Sequence, residues 1–209
     1  MGALSADVNL LFVRHGATEW TRAGRYQGRR NPALSPEGRC GAVELAQRIA
    51  PLPVARVLSS PLARTRATAA AIATATGAPL LLDGRLIELA FGAWEGLTQP
   101  EVKARWPEPL RAWKRAPATT RPPGGETLAE ARARLDALLA DLGAPTGAAA
   151  GGVVVLVTHD MIVRLALLAA RGLGMEGLRE LRVPLASVHP VRLRAGRLIP
   201  PTAEQPADV

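Results

Sequence analysis

The segment "NLLFVRHGATEW", residues 9–20, contains a buried strand that ends abruptly on residues of a different character. Residues 10–13 are all apolar, a run typical of a strand buried on both faces. Arg14, His15 and Gly16 follow directly. This position is either the ordinary solvent-exposed end of a strand or the start of a functional site, with Gly16 letting the backbone turn beside it.

Apolar runs of strand length alternate with longer helical patterns, which predicts an α/β fold with a mainly parallel sheet. In open sheets of that kind, ligands bind beyond the carboxyl ends of the strands. Ser35 and Pro36 are typical of a helix start, and Gly77 of a helix end. The predicted strands are residues 8–13, 54–60, 79–82 and 152–160. The predicted helices are residues 36–50, 61–76, 126–142 and 161–174, and residues 188–200 predict a closing hairpin that turns at residues 195–196.

The chain, residues 1–209, is expected to form a single domain, since its length suits one hydrophobic core. Residues 83–125 interrupt the alternation and contain three of the four tryptophans, so we expect loops and short helices that cover one end of the sheet. Residues 143–152, rich in glycine and alanine, predict a flexible loop, and residues from about 200 to 209 predict a flexible tail.

Composition narrows the class of protein. Hydrophobic residues make up 48% of the chain and charged residues 21%, which is typical of a globular protein. The net charge of +8 comes from arginine, because Lys103 and Lys114 are the only lysines, and it favours anionic partners such as phosphate esters or nucleic acid. An alanine- and arginine-rich genome would produce the same surface charge without any function.

The compartment is inferred from three features. Cys40 is the only cysteine, which excludes an intramolecular disulfide and a cysteine-based zinc site. Apolar runs stay below the ~18 residues that a membrane span needs. Residues 1–9 lack the basic region and the apolar core of a signal peptide. We therefore expect a cytoplasmic protein without a membrane partner.

Two predicted strands end on a histidine. His15 follows the first strand, and His159 follows the most apolar one, within "VVVLVTHD". Either alone would ordinarily be structural, but the two occupy equivalent positions where ligands bind. Arg64 and Arg66 lie just inside a predicted helix, where cations oppose the helix dipole, so local stability does not explain them. Either their side chains reach solvent or a carboxylate, or one of them turns into the crevice and holds an anion. Glu88, after the third strand, is a candidate proton donor.

If these groups converge, they assemble a site for phosphoryl transfer. Arg14 and Arg64 match the oxygens of a phosphate dianion and would depress the pKa of His15, which keeps its imidazole neutral and nucleophilic. His15 would attack phosphorus to give a phosphohistidine, while Glu88 protonates the leaving alcohol and His159 stabilises the transferring group. Because arginines and histidines supply the countercharge, we expect no cofactor and no metal.

These residues resemble the histidine phosphatase superfamily, which includes the cofactor-dependent phosphoglycerate mutases. "RHGATEW" (residues 14–20) is similar to its signature at the first strand end, and "SSPLARTRATA" (59–69) to its second-arginine motif. "ELAFGAWEG" (88–96) resembles the acid loop, "VTHD" (157–160) the second-histidine motif, and "GRYQGRRNPALSPEGR" (24–39) the segment with a substrate-side glutamine. The five motifs occur in the family's order over nearly the whole chain.

The resemblance implies a phosphoglycerate mutase-like, three-layer α/β/α fold with a small helical and loop cover over the strand C-termini. It implies a small-molecule phosphate ester as the substrate. The catalytic residues that it implies are His15, Glu88, His159, Arg14 and Arg64. The residues expected to bind substrate are Thr18, Thr21, Gln27, Gly28 and Asp160.

Three positions depart from the family's usual pattern. Thr21 stands where asparagine is common, so its hydroxyl would reach less far towards phosphate. Asn31 replaces a usual aspartate and removes a negative charge near the pocket. Asp160 replaces a usual glycine, and its carboxylate would either cap the following helix or narrow the approach of the substrate.

Hydrolysis by water is the expected reaction, because the interval between Glu88 and His159 lacks the longer insertion in which the family's mutases resemble one another. Phosphoglycerate mutase-type transfer is the alternative within the family. The "FGAWEG" and "PPGGET" elements also resemble ribazole phosphatases and broad-specificity phosphatases, and they do not choose between the two.

Alternatives from other classes remain. The charge would suit a nucleic-acid-binding module, but dispersed arginines and few aromatic residues argue against it, so we expect no nucleic-acid partner. A catalytically silent scaffold is a further alternative, and a homodimer stays open. The arginines at positions 22, 25, 29 and 30 form a basic loop that either contacts a second anionic group of the substrate or is merely solvated.

Overall fold

The computed structural model describes residues 7–144 and 152–201. Residues 145–151 of the predicted loop and 202–209 of the predicted tail lie outside the described residues.

The described residues form one six-stranded sheet in the order β3-β2-β4-β1-β5-β6. Strands β1 to β4 pair in parallel, whereas β5 pairs antiparallel with β1 and with β6. The prediction of a mainly parallel sheet is therefore confirmed, and so is the closing hairpin, which turns at Ala195 and Gly196 with φ values of 47° and 75°. The strands are β1 (Val8–Arg14), β2 (Val54–Ser59), β3 (Leu80–Leu82), β4 (Val153–Thr158), β5 (Val188–Arg194) and β6 (Arg197–Ile199).

Seven α-helices lie in the described ranges, and none of them is long and apolar enough to cross a membrane. They are α1 (Glu19–Arg22), α2 (Pro36–Ile49), α3 (Ala63–Thr76), α4 (Gln99–Arg105), α5 (Pro107–Arg115), α6 (Leu128–Gly143) and α7 (Asp160–Ala170). Short 3-10 helices occur at Gly84–Leu86, Gly92–Trp94 and Met175–Arg179.

Two helix boundaries differ from the sequence pattern for local reasons, and one short helix was not predicted. Helix α3 begins two residues late, where the Asn31 side-chain oxygen accepts a hydrogen bond of 2.6 Å from the Ala63 N–H, one of the first-turn donors that lack a partner within a helix. Helix α7 ends at Ala170 rather than residue 174, because Gly172 adopts a φ of +66°. Helix α1, with four residues, is too short to leave a periodic pattern.

The sheet carries an apolar layer on each face, and alternate residues of one strand supply the two layers. Leu11 and Val13 of β1 pack with residues of α2 and α3, whereas Leu10 and Phe12 pack with residues of α6 and α7. All four are 5% exposed or less. This arrangement is the expected three-layer α/β/α architecture.

Residues 83–125 form the expected cover of loops and short helices. Its aromatic rings pack closely, with the centroid of Trp113 lying 5.9 Å from that of Trp94 and 6.1 Å from that of Phe91. The cover meets the carboxyl end of β4, where the Thr158 hydroxyl donates a hydrogen bond of 2.6 Å to the Leu86 carbonyl. The cover is thereby fixed over the edge at which the candidate histidines lie.

Replacing Phe12 by alanine is expected to lower the free energy of unfolding by about 3–5 kcal/mol, because the ring is fully buried and its removal leaves a cavity. Leu81→Ala in edge strand β3 is the control, since Leu81 is 51% exposed and its loss should change stability by less than about 0.5 kcal/mol. Urea denaturation followed by circular dichroism measures both. Equal losses for the two variants would contradict the layer assignment.

Candidate active site

The parallel pairing of β1 and β4 brings the two candidate histidines together. Arg14 stands opposite Thr158 in the register, and the next residue of each chain segment is a histidine. The ring centroids of His15 and His159 lie 5.2 Å apart, and both side chains are buried. The sequence prediction that these two strand ends share one site is consistent with this geometry.

Hydrogen bonds assign the tautomer of His15. Its Nδ1 lies 2.7 Å from the Gly16 carbonyl oxygen, which only accepts, so Nδ1 carries the proton. The other ring nitrogen, Nε2, then presents its lone pair to the Arg64 Nε–H at 3.3 Å. Burial, followed by the charges of Arg64 and Arg14, lowers the pKa of His15 well below its usual value, against the Gly16 hydrogen bond, which raises the pKa. At neutral pH the ring is therefore neutral, with Nε2 available as a nucleophile.

Gly16 is required for space rather than for a left-handed turn. A Cβ at this position would lie 2.5 Å from the Gly38 carbonyl oxygen at the start of α2. A Cβ at Gly38 would lie 2.0 Å from the Ala17 carbonyl oxygen, so the two backbones approach each other through two glycines. This close approach fixes the loop that follows His15. Gly16 is therefore needed for backbone packing and not, as expected from the sequence, for turning the backbone.

Arg64 is the arginine of α3 that enters the site, whereas Arg66 is exposed. The terminal nitrogens of Arg64 donate hydrogen bonds of 2.8 Å to the carbonyls of Arg30 and Gly28. Burial is the main reason that the pKa of Arg64 falls to about 10, and the nearby Glu88 carboxyl opposes it. The guanidinium is therefore still a cation at neutral pH, and its three hydrogen bonds hold it in place.

Arg14 lies at the same edge but is bound to a different partner. Its guanidinium forms an ion pair of 3.0 Å with Asp160 and donates to the Val183 carbonyl. Asp160 also accepts a hydrogen bond of 2.7 Å from Arg164, one turn further along α7. The carboxylate at the position where the family usually has glycine thus binds two arginines at the edge of the site.

His159 is held by a residue that the sequence analysis missed. Its Nε2 lies 2.8 Å from the Ser60 hydroxyl, and its Nδ1 has no hydrogen-bond partner within the part of the chain that the structure describes. Ser60 directly follows β2, the other neighbour of β4, so its hydroxyl comes to the same edge of the sheet. The two consecutive serines at the end of this strand were the feature of the sequence that could have indicated Ser60. Burial, followed by the Arg64 charge, lowers the pKa of His159 well below its usual value.

Glu88 is buried in the same region, with 6% of its surface exposed. The pKa of this carboxyl is raised to about 7, mainly by burial and next by the neighbouring Asp160 carboxylate. The Leu89 N–H donates a hydrogen bond of 2.9 Å to the carboxyl, and this bond lowers the pKa of Glu88. The positive charges of Arg64 and Arg14 lower it as well. A group with this pKa can both give and take a proton near neutral pH.

The loop that carries Glu88 is anchored by Glu126, a second residue that the sequence analysis did not select. The Glu126 carboxylate accepts from the Ala90 N–H at 3.3 Å, and the Glu126 N–H donates to the Ala90 carbonyl at 2.9 Å. Arg134 of α6 bonds the Glu126 carboxylate at 3.0 Å and also donates to the Arg85 carbonyl. The "PPGGET" segment therefore fixes the acid loop rather than reaching the histidines itself.

The residues expected to bind substrate are divided by the structure. The Thr18 hydroxyl donates 3.1 Å to the Gln27 side-chain oxygen, and both residues are buried. Gly28 contributes its carbonyl to Arg64. The Thr21 hydroxyl accepts a hydrogen bond of 2.9 Å from the Thr18 N–H in the capping box of α1 and donates one of 2.7 Å to the Thr18 carbonyl, so it is already engaged locally.

The basic loop that follows is balanced by carboxylates. Each of its arginines has an acidic partner, at distances from 3.2 to 3.9 Å: Arg22 with Glu37, Arg25 with Glu101, Arg29 with Glu126 and Arg30 with Glu95. The loop therefore forms a network of ion pairs rather than an uncompensated positive patch. Within residues 7–144 and 152–201, no group of three or more histidine, cysteine, aspartate or glutamate side chains could hold a metal ion.

Comparison with known proteins agrees with this geometry. Residues 10–200 match the profile of the histidine phosphatase superfamily, branch 1. The chain belongs to this superfamily. A histidine phosphatase structure, that of the mycobacterial glucosyl-3-phosphoglycerate phosphatase in complex with VO3, superposes with a TM-score of 0.80 at 31% identity, covering 88% of this chain and 92% of that chain.

Curated relatives of this chain include phosphoserine phosphatase 1 of Hydrogenobacter thermophilus, 38% identical over 65% of this chain and 64% of that protein. Glucosyl-3-phosphoglycerate phosphatase of Mycobacterium tuberculosis is 36% identical over 74% of this chain and 71% of that protein. A bifunctional protein of the same organism is 37% identical over 90% of this chain, which spans only 50% of that protein.

Asp160→Asn is expected to lower the pKa of Glu88 from about 7, because the substitution removes the negative charge that opposes ionisation of Glu88. The substitution also frees Arg14 from its ion pair, and the unpaired positive charge of Arg14 lowers the pKa of Glu88 further. NMR titration of ¹³C-labelled glutamate carboxyls measures the shift. Asp136→Asn, at an exposed position of α6, is the control and should leave the pKa unchanged. An unchanged or raised pKa in the Asp160 variant would contradict the coupling.

Proposed function

We propose that this histidine phosphatase is a phosphomonoesterase that hydrolyses a small phosphorylated metabolite through a phosphohistidine at His15. The observation that carries the proposal is the neutral His15 ring, whose unprotonated Nε2 faces the buried Arg64 beside a carboxyl with a pKa of about 7. Membership of the superfamily and the phosphatase names of its relatives support it.

In the first step, the phosphoryl group of the substrate lies between Arg64, His159 and the edge that carries Arg14. Its oxygens accept hydrogen bonds from the guanidinium of Arg64, which is already oriented and desolvated. The His15 Nε2 lone pair forms a bond to phosphorus as the bond from phosphorus to the ester oxygen breaks. Glu88, protonated because burial raises its pKa, gives its proton to the leaving oxygen.

The Gly16 carbonyl matters during this step, because the His15 ring becomes positively charged when its Nε2 bonds to phosphorus. The Nδ1–H donates to that carbonyl at 2.7 Å, and a hydrogen bond to the charged form stabilises it. The same contact holds the ring in one orientation, with Nε2 towards the substrate.

In the second step, a water molecule attacks the phosphohistidine. Glu88, now a carboxylate, accepts a proton from this water, and the bond between phosphorus and Nε2 breaks to release inorganic phosphate. The protonation states of Glu88 and His15 are then those at the start. The positive charges of Arg64 and Arg14 balance the phosphoryl oxygens throughout, so the proposed reaction needs no metal or cofactor.

Phosphoglycerate mutase activity is the second candidate, since a probable phosphoglycerate mutase of Erwinia tasmaniensis is 32% identical over 87% of this chain and 83% of that protein. A mutase must hold the carboxylate of a small acid close to the phosphoryl group. The interval between Glu88 and His159 lacks the longer insertion in which the family's mutases resemble one another, which disfavours mutase activity. We therefore propose hydrolysis, with a small-molecule substrate, a cytoplasmic location and no nucleic-acid partner as continuing predictions.

His15→Ala is expected to reduce the turnover of 4-nitrophenyl phosphate by at least about 10³-fold, because the variant lacks the nucleophile. The control is His189→Ala, which removes a partly buried histidine of β5 that bonds Ser187 and should retain activity. Steady-state kinetics and trapping of an acid-labile phosphoenzyme measure the effect. Full turnover by a folded His15→Ala protein, or an active wild type that forms no phosphohistidine, would refute the mechanism.

Glu88→Gln is expected to lose about 10²-fold or more in turnover of alkyl phosphates and much less on aryl phosphates, whose leaving groups need little protonation. The wild-type rate on alkyl phosphates should also decline as the pH rises through about 7, since Glu88 then loses the proton that it must donate. Equal losses on both classes of ester would argue against Glu88 as the acid.

A further inference from the structure

His159 is buried and uncharged at neutral pH, so the position of its one ring proton decides how it acts on a phosphoryl group. In a neutral imidazole one ring nitrogen donates a hydrogen bond and the other only accepts. Phosphoryl oxygens are negatively charged acceptors. His159 therefore stabilises the transferring group only through the nitrogen that carries the proton, whereas the lone pair of the other nitrogen would repel it.

Ser60 is held firmly beside this ring. Its N–H donates a hydrogen bond of 3.0 Å to the Val157 carbonyl of β4, and its carbonyl accepts from the hydroxyls of Ser59 at 2.8 Å and Thr65 at 2.9 Å. The side chain of Ser60 is fully buried. Because Val157 precedes His159 by only two residues, the Ser60 hydroxyl is fixed relative to the ring, and its oxygen lies 2.8 Å from Nε2.

The partners of the Ser60 hydroxyl assign the direction of this hydrogen bond. Its oxygen accepts from the Leu62 N–H at 3.4 Å, and the His159 Nε2 is the only acceptor within its reach among residues 7–144 and 152–201. If Nε2 carried the proton, the Ser60 O–H and the Nδ1 lone pair would both be buried without a partner. If Ser60 donates to Nε2, only the Nδ1–H lacks a partner. Since every unpaired buried polar group is unfavourable, the proton of His159 lies on Nδ1.

The Nδ1–H of His159 is then a preorganised donor that the protein does not use. His159 is the N-cap residue of α7, but its side chain makes no capping hydrogen bond, and Nδ1 is closed to solvent and unpaired within the described part of the chain. The ring meets that of His15 edge-on, with the centroids 5.2 Å apart. A phosphoryl group on His15 and one hydrogen bond together span this distance, so a phosphoryl oxygen supplies the missing acceptor.

We propose that Ser60 is a positioning residue for phosphoryl transfer, whose hydroxyl keeps the proton of His159 on Nδ1 so that the neutral ring donates to the phosphoryl group. The proposal rests on the proposed hydrolase function and adds a residue that acts through His159. No bond to Ser60 forms or breaks during the reaction. Without this hydroxyl the ring can carry its proton on Nε2, and Nδ1 then presents a lone pair to a negatively charged oxygen.

Ring ¹⁵N chemical shifts test the tautomer of His159 directly, because protonated and unprotonated imidazole nitrogens resonate far apart. The chain has three histidines, and the signals of His159 are those absent from a His159→Gln variant. In the wild type at neutral pH we expect the proton on Nδ1, and a change in the Nδ1 shift when inorganic phosphate is added at a concentration that inhibits turnover. A proton on Nε2, or an Nδ1 shift that phosphate leaves unchanged, would overturn the proposal.

Ser60→Ala is expected to move the proton of His159 towards Nε2 and to lower kcat/KM for 4-nitrophenyl phosphate by about 10²-fold, the usual effect of losing one donor to the transition state. Ser60→Thr keeps a hydroxyl and should restore both the Nδ1–H tautomer and most of the activity. Ser59→Ala is the matched control, because its hydroxyl is equally buried and Thr65 still holds the Ser60 carbonyl. It should leave the tautomer unchanged and kcat/KM within about threefold.

Two results with these variants would contradict the role of Ser60. One is a folded Ser60→Ala protein with wild-type kcat/KM, and the other is a loss of activity with the proton still on Nδ1. Both leave the hydrolase function standing. Should Ser60→Ala not fold, the wild-type tautomer and its response to phosphate still decide. Absence of turnover and of any phosphohistidine in the wild type would instead refute the hydrolase function, and the proposal with it.

Discussion

The parallel pairing of β1 with β4 is the constraint on which the rest of the site depends. Because Arg14 stands opposite Thr158, two histidines that are 144 positions apart in sequence are placed with ring centroids 5.2 Å apart. Strand β2 pairs with the other side of β4 and brings Ser60 to the same edge. The cover then attaches at Thr158 and delivers Glu88. The positions of the two histidines, Ser60 and Glu88 therefore all depend on β4 and the strands on either side of it.

The exclusion of water from the site sets the protonation states of His15 and Glu88. A solvated histidine and a solvated glutamate would titrate near 6.5 and 4.3. In this site burial lowers the pKa of His15 and raises that of Glu88 to about 7, so a neutral base and a protonated acid coexist at neutral pH. The positive charge of Arg64 reinforces the first shift and opposes the second. The exclusion of solvent, more than any single charge, separates the two roles.

Two residues that depart from the family's usual pattern, Asp160 and Asn31, lie around the catalytic groups. Asp160 binds both Arg14 and Arg164, so one carboxylate holds two arginines at the phosphate-facing edge. Asn31, where the family usually has aspartate, still accepts the hydrogen bond at the start of α3 that positions Arg64, and it does so without adding a negative charge. These substitutions change the surroundings of the phosphoryl group and leave the histidines and Arg64 in place.

The sequence alone determined the alternation of strands and helices, the strands that end in histidines and the residue types able to bind and transfer phosphate, because these follow from local periodicity and residue chemistry. The residue pattern left open whether Arg64 or Arg66 enters the site, although the family resemblance implied Arg64, and neither identified Ser60 or Glu126. Only tertiary structure decided these points, since each depends on which carbonyl, ring or N–H from a distant segment lies within about 3 Å.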